Sequence, residues 1–258
     1  MSIPHTPIDQ FTRTEFSAPT SDGHRISHDI YSRGSGAPVL LIQELPGIGE
    51  ETLRLSDKLV DAGFEVIMPH LFGPIGRTSM GGNLVRVFCM RKEFALFSTR
   101  RSSPIVGWLS ALCNAVRDSR NVPGVGVIGM CLTGNFAISL IGDDSVLAAV
   151  SSQPAMPLHK QGALHMSERE VTRSCQALDR KGYMLGFRFE GDSACSARKF
   201  DCIRRAINTG GVERIRLTTL PGDGHSVLTL DFVDETGHPT QDALRSVIDY
   251  LTRRLHRG

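Results

Sequence analysis

Short apolar runs alternate with amphipathic stretches along most of this 258-residue chain. Val39-Leu40-Leu41-Ile42 is an unbroken apolar run between Pro38 and the polar pair Gln43-Glu44, the pattern of a strand covered on both faces. Leu55, Leu59 and Ala62 then recur at helical spacing, and Gly63 stands where a helix C-cap belongs. Residues 64–68 predict the next strand, stopped by Pro69. Further strands are predicted at 125–128, 146–150, 184–189 and 215–220, with helices over 135–141, 167–181 and 195–208. Ala243, Val247, Leu251 and Leu255 share the stripe of a last helix. Two early segments, near 12–18 and 25–31, read as antiparallel edge strands around a turn at Ser21-Asp22-Gly23.

Strands alternating with helices in this way predict an α/β fold, a mostly parallel central sheet with helices on both faces. No internal repeat, low-complexity tract or linker divides the sequence, so 1–258 reads as one domain. Residues 70–103 break the alternation with Gly73, Gly76, Gly81, Gly82 and six basic residues between Arg77 and Arg101. They read as an irregular, solvated insertion, with a flap over a site as the other reading.

Composition narrows the function classes. With 29 basic against 27 acidic residues, the net charge of +2 gives no electrostatic argument for nucleic-acid binding. No apolar run approaches the ~18–20 residues that span a membrane. The opening MSIPHTPIDQFTRTEF lacks the basic start and apolar core of a secretory signal, so a cytoplasmic protein is expected. The six cysteines include no C-x-x-C pair and suit a reducing compartment, and no structural zinc site is expected. Five of them read as small buried apolar side chains.

Cys131 is the exception. A buried strand runs into Gly129-Met130-Cys131-Leu132-Thr133-Gly134 and a helix follows, the strand–turn–helix context of a nucleophile elbow with cysteine in place of serine. Gly129 meets the need for a small residue two positions before the nucleophile, whereas Thr133 is larger than the glycine usual two positions after it. A thiol at a helix N-terminus is favoured as thiolate, and the amide of Leu132 would face the oxyanion of an acyl substrate. The same stretch also reads G-x-G-x-x-G from Gly124 to Gly129, a dinucleotide fingerprint. That motif needs a strand before its first glycine; here the preceding 117–123 are polar and turn-like, and the glycines lie inside the strand.

A cysteine nucleophile needs a base and a group to orient it, in the chain order nucleophile, acid, histidine. Of nine histidines, His225 follows the 215–220 strand through Pro221-Gly222-Asp223-Gly224 and precedes the last helix, so its loop lies at the carboxyl edge of the sheet. The acid is expected at the end of the 184–189 strand, where Asp192 is favoured over Glu190 and over Asp223, which is too near His225 in sequence to hold its ring. Asp192 also fits a plain helix N-cap.

With these three residues in place the chain resembles the dienelactone hydrolase family of α/β-hydrolases over residues 25–255. The resemblance is carried by Leu41-Ile42-Gln43-Glu44-Leu45-Pro46-Gly47, by Met68-Pro69-His70-Leu71-Phe72, by the cysteine elbow and by Gly222-Asp223-Gly224-His225-Ser226. It implies an α/β-hydrolase fold, a glutamate beside the resting thiol at Glu44 and a second oxyanion donor at the amide of Leu45. Read without the family, Glu44 is a turn residue closing a buried strand. The family's substrate-carboxylate arginines have no counterpart at Phe72-Gly73-Pro74 or at Thr229, which leaves Arg77, Arg86, Arg91, Arg100 and Arg101 of the insertion as substitutes. The expected activity is hydrolysis of a small-molecule ester or lactone through Cys131, His225 and Asp192, without cofactor or metal and without a nucleic-acid or membrane partner. A non-catalytic hydrolase-fold protein binding a small ligand or partner is the alternative.

Overall fold

The structure is a computed structural model that describes residues 4–20, 22–45, 47–73, 75, 103–155 and 162–256. Most of the insertion, with all five of its arginines, lies outside the described residues, as does Pro46.

Eight strands form one sheet: β1 (Thr12–Pro19), β2 (Arg25–Arg33), β3 (Ala37–Ile42), β4 (Phe64–Pro69), β5 (Val125–Met130), β6 (Val146–Ser152), β7 (Met184–Phe189) and β8 (Ile215–Leu220). Their spatial order is β1-β2-β4-β3-β5-β6-β7-β8. The pairs β1/β2 and β2/β4 are antiparallel, and every other neighbouring pair is parallel. The two early segments are the antiparallel β1 and β2, but only β1 is an edge, because β2 is paired on its other side with β4; the mostly parallel α/β sheet is the one the alternation implies.

Helices cover both faces: α1 (Glu50–Asp61), α2 (Pro104–Arg120), α3 (Gly134–Leu140), α4 (Glu168–Lys181), α5 (Ala197–Ile207) and α6 (Pro239–Leu255). Successive strand residues point to opposite faces, so each central strand feeds two cores. Leu40 and Ile42 pack with Trp108, Leu109, Ile138 and Phe200 on one side. Val39 and Leu41 pack with Leu55, Leu59, Val247 and Leu251 on the other. All four β3 residues are fully buried, which is why that strand shows no polar alternation.

The structure corrects the reading of the stretch before β5. Residues 117–120 are the last turn of α2, not a polar loop, and the turn begins only at Asn121, which has φ +50°. The apolar stripe Ile105, Trp108, Leu109, Leu112, Cys113, Val116 drives this helix into the core, and Pro104 opens it at the position where a missing N–H is harmless. A helix and a turn, not a strand, lead directly into Gly124, so the fingerprint lacks the context that a dinucleotide site requires. Among the described residues no helix is long and apolar enough to cross a membrane.

Candidate active site

β3 and β5 are neighbours, with Ile42 opposite Gly129. The loops that follow them therefore emerge side by side at the carboxyl edge of the sheet, as ligand-binding loops do in open α/β sheets. Cys131 directly follows β5 with φ +55°, a left-handed conformation unusual for a residue with a β-carbon. A short 3-10 turn (Cys131–Thr133) then leads into α3, so the helix proper starts three residues later than the sharp turn. A β-carbon on Gly129 would stand 2.3 Å from the carbonyl oxygen of Thr133, so the turn admits only glycine there.

Thr133 is accommodated through its hydroxyl. It accepts from the Met130 amide at 2.9 Å and lies 3.0 Å and 3.1 Å from the carbonyls of Met130 and Ile42, tying the elbow to the end of β3. The larger side chain thus replaces a glycine with a polar clamp.

Asp192 is 4% exposed and sits after β7. One oxygen, Oδ1, accepts the amides of Ala194 at 2.8 Å and Cys195 at 2.9 Å; the other, Oδ2, lies 2.7 Å from His225 Nδ1. The N-cap of α5 is Ser196, so Asp192 does not cap that helix. Glu190 and Asp223, its rivals, are both exposed. Burial alone would lower the His225 pKa, but hydrogen bonds to Asp192 and Cys131 and the charges of those groups outweigh it and raise it to about 10. The structure thus places Asp192 and His225, 33 residues apart along the chain, in direct hydrogen bond, with Cys131 on the neighbouring elbow close enough to act on the ring.

Glu44 is 2% exposed, and its carboxylate faces the His225 loop. Ser226 Oγ donates to Oε2 at 2.9 Å, Gln153 Nε2 donates to the same oxygen at 3.3 Å, and the Thr229 hydroxyl donates to Oε1. Burial raises its pKa, and these hydrogen bonds only partly offset the rise. Thr229, which stands where the family resemblance leads one to expect an arginine, is therefore a partner of Glu44. The Glu44 carbonyl also accepts from the Gly47 amide at 2.9 Å, so its backbone belongs to a turn as well. Leu45 and Leu132, the two expected oxyanion donors, follow Glu44 and Cys131 directly on the adjacent β3 and β5 loops.

Several residues around the site were not singled out by sequence. Asp231 Oδ2 accepts the amides of His225 at 2.7 Å and Ser226 at 2.8 Å. Gln153 closes β6 with φ +33° and reaches Glu44. Asn135 and Lys199 lie behind the elbow. Only Lys199 had a readable signal: with Ile203 and Ile207 it falls at every fourth position of the buried stripe of α5. Among the described residues no cluster of three His, Cys, Asp or Glu side chains is arranged to hold a metal ion.

The sheet order, the antiparallel β2 and the sharp turn after β5 define an α/β-hydrolase. The model of the dienelactone hydrolase family matches residues 31–254, and the chain belongs to that family and with it to the ester hydrolases. Similar solved structures share its fold at low identity. A cold-adapted esterase from an Arctic intertidal metagenomic library aligns with TM-score 0.61 and 16% identity, over 95% of this chain and 94% of its own. An esterase of Pyrococcus furiosus aligns with TM-score 0.62 and 15% identity, over 99% of this chain and 98% of its own. A dienelactone hydrolase-like promiscuous phosphotriesterase from metagenomic libraries aligns with TM-score 0.58 and 12% identity, over 94% of this chain and 98% of its own. No functionally curated protein matches the sequence.

Proposed function

We propose that this hydrolase cleaves a small ester or lactone through a covalent thioester on Cys131, with His225 as the base and Asp192 as its orienting acid. The observation that carries the reading is the 2.7 Å contact between Asp192 Oδ2 and His225 Nδ1, with the strained Cys131 near enough to raise the proton affinity of the ring.

With Nδ1 committed to Asp192, Nε2 takes the Cys131 proton. Its raised proton affinity suits that task. The thiolate attacks the carbonyl carbon, and the amides of Leu132 and Leu45 receive the charge that moves onto the carbonyl oxygen. The C–S bond formed in that attack is kept when the intermediate collapses: the carbonyl is restored, the C–O bond breaks to leave the thioester, and the departing alkoxide takes the proton from His225. A water molecule, deprotonated by His225, then attacks the thioester; the C–S bond breaks, the acid leaves and the thiol is restored. In a lactone the leaving alkoxide stays tethered to the acyl group.

Glu44 is held by Thr229, Ser226 and Gln153, and burial favours its neutral form, so in this reading it shapes the site and does not compete for the proton. The test is esterase activity on p-nitrophenyl esters of graded acyl length, together with labelling by iodoacetamide. Cys131→Ala should abolish turnover while the fold persists, and the native protein should be alkylated at Cys131 ahead of Cys113 and Cys195, whose thiols burial pushes up. Turnover independent of Cys131 would overturn the reading.

A further inference from the structure

Lys199 is wholly buried, and among the described residues no carboxylate pairs with it. An ammonium group so placed is among the least favourable burials a side chain can make unless its hydrogen bonds serve a purpose. Its Nζ donates to Asn135 Oδ1 at 2.7 Å and to the carbonyl of Ala163 at 2.6 Å. Burial lowers its pKa to about 8, with the nearby Cys195 and Cys202 opposing the fall, so the charge persists at neutral pH.

Asn135 passes the restraint on. Its Nδ2 donates to the carbonyls of Leu132 and Ala155, each at 3.1 Å. The Ala155 amide in turn donates to the carbonyl of Cys131 at 3.1 Å. That carbonyl and the Leu132 N–H belong to one planar trans peptide unit and point in opposite directions. Whatever fixes the Cys131 carbonyl therefore also aims the Leu132 amide. The ammonium makes the arrangement one-way: with Asn135 turned over, its NH2 would face Nζ, two donors in contact, and both carbonyls would lose their partner.

We propose that Lys199 is a positioning residue which, through Asn135 and Ala155, holds the Cys131–Leu132 peptide plane so that the Leu132 amide points at the oxyanion. The inference rests on the thioester reading above and adds to it a residue on α5, the helix that follows the Asp192 loop. Proton transfer from Cys131 to His225 does not pass through this relay, so the two can be separated.

The experiment compares Lys199→Met and Asn135→Asp with the native enzyme and with Cys131→Ala, on p-nitrophenyl acetate. Lys199→Met should lower kcat by about 10- to 100-fold, below the full effect of deleting an oxyanion donor, with KM within about threefold. Removing the buried charge offsets the loss of its two hydrogen bonds, so Tm should change by only a few degrees, and alkylation of Cys131 by iodoacetamide should keep its native rate. Asn135→Asp keeps Lys199 paired but offers no N–H to Leu132 and Ala155, and should lose kcat in the same way; it decides the question if Lys199→Met does not fold. A kcat held within about threefold, or losses of Tm and alkylation rate that parallel the loss of kcat, would overturn the proposal. Full activity in Cys131→Ala would instead overturn the thioester reading on which it stands.

Discussion

Asp231 takes the backbone amides of His225 and Ser226 on a single carboxylate oxygen, at 2.7 and 2.8 Å. Its own amide donates back to the Ser226 carbonyl at 3.1 Å, so the segment from His225 to Asp231 closes on itself. The turn is tight: a β-carbon on Gly224 would stand 2.9 Å from Asp231 Cγ. The imidazole is thus aimed by a carboxylate that never touches it. Replacing Asp231 with alanine removes the acceptor of two loop amides that water can reach, an expected cost of about 0.5–1.5 kcal/mol. Esterase kcat should fall by about 10- to 100-fold, as expected for a misplaced general base. Asp231→Asn, which keeps an acceptor oxygen, should recover much of the loss; steady-state kinetics and thermal denaturation of both variants check this.

Thr133 gives a prediction that runs against the usual elbow residue. Restoring glycine removes the hydroxyl that accepts from the Met130 amide and reaches the Ile42 carbonyl. Thr133→Gly should therefore destabilise the protein by about 1–3 kcal/mol, measured by urea unfolding. An unchanged or higher stability would show that the clamp contributes nothing.

Glu44 carries a sign that denaturation can read. Its carboxyl is raised above the unfolded value of 4.5 by burial, so the folded state binds the proton more tightly than the unfolded chain. The stability this gives is fully present below about pH 4.5 and is lost as the pH rises through the folded value. Glu44→Gln removes the dependence. Its amide NH2 can donate to Thr229 while the remaining oxygen accepts from Ser226 and Gln153, so the variant should be at least as stable as the native protein near pH 7. A lower urea midpoint there would contradict the account.

His225 titrates with the opposite chemistry and the same slope. Its folded pKa, raised from 6.5 to about 10, gives stability that is complete below about pH 6.5 and lost as the pH climbs through about 10. His225→Gln lacks this contribution, so the stability gap between the native protein and the variant should narrow between pH 6 and pH 10. Urea midpoints at the two ends test it; a constant gap would mean that the ring gains no proton affinity on folding.

The fold was legible in the sequence where burial was two-sided. Val39 to Ile42 and Val146 to Val150 read as strands because both their faces are covered, and the glycine and proline punctuation separated them. α2 shows an equally regular stripe from Ile105 to Val116, yet it directly follows the glycine-rich, basic insertion, and its polar last turn at 117–120 resembles a loop. The partners of Glu44 were hidden for a different reason: Ser226 and Thr229 lie 182 and 185 residues away, and nothing local in an -Ser-x-x-Thr- stretch shows which carboxylate it will meet. The contact between Asp192 and His225 was legible because sheet topology fixes where strand ends fall, whereas Asp231 works through backbone amides, which leave no mark on the sequence.

The most direct measurement of the central claim is a rapid acid quench of the enzyme with a p-nitrophenyl ester, followed by peptide mass spectrometry. A thioester mechanism requires an acyl group on the peptide that contains Cys131 and on no other cysteine, formed at the rate of p-nitrophenol release and absent in Cys131→Ala. Release of p-nitrophenol at the native rate with the Cys131 peptide unmodified, or an acyl group carried elsewhere in the chain, would contradict it.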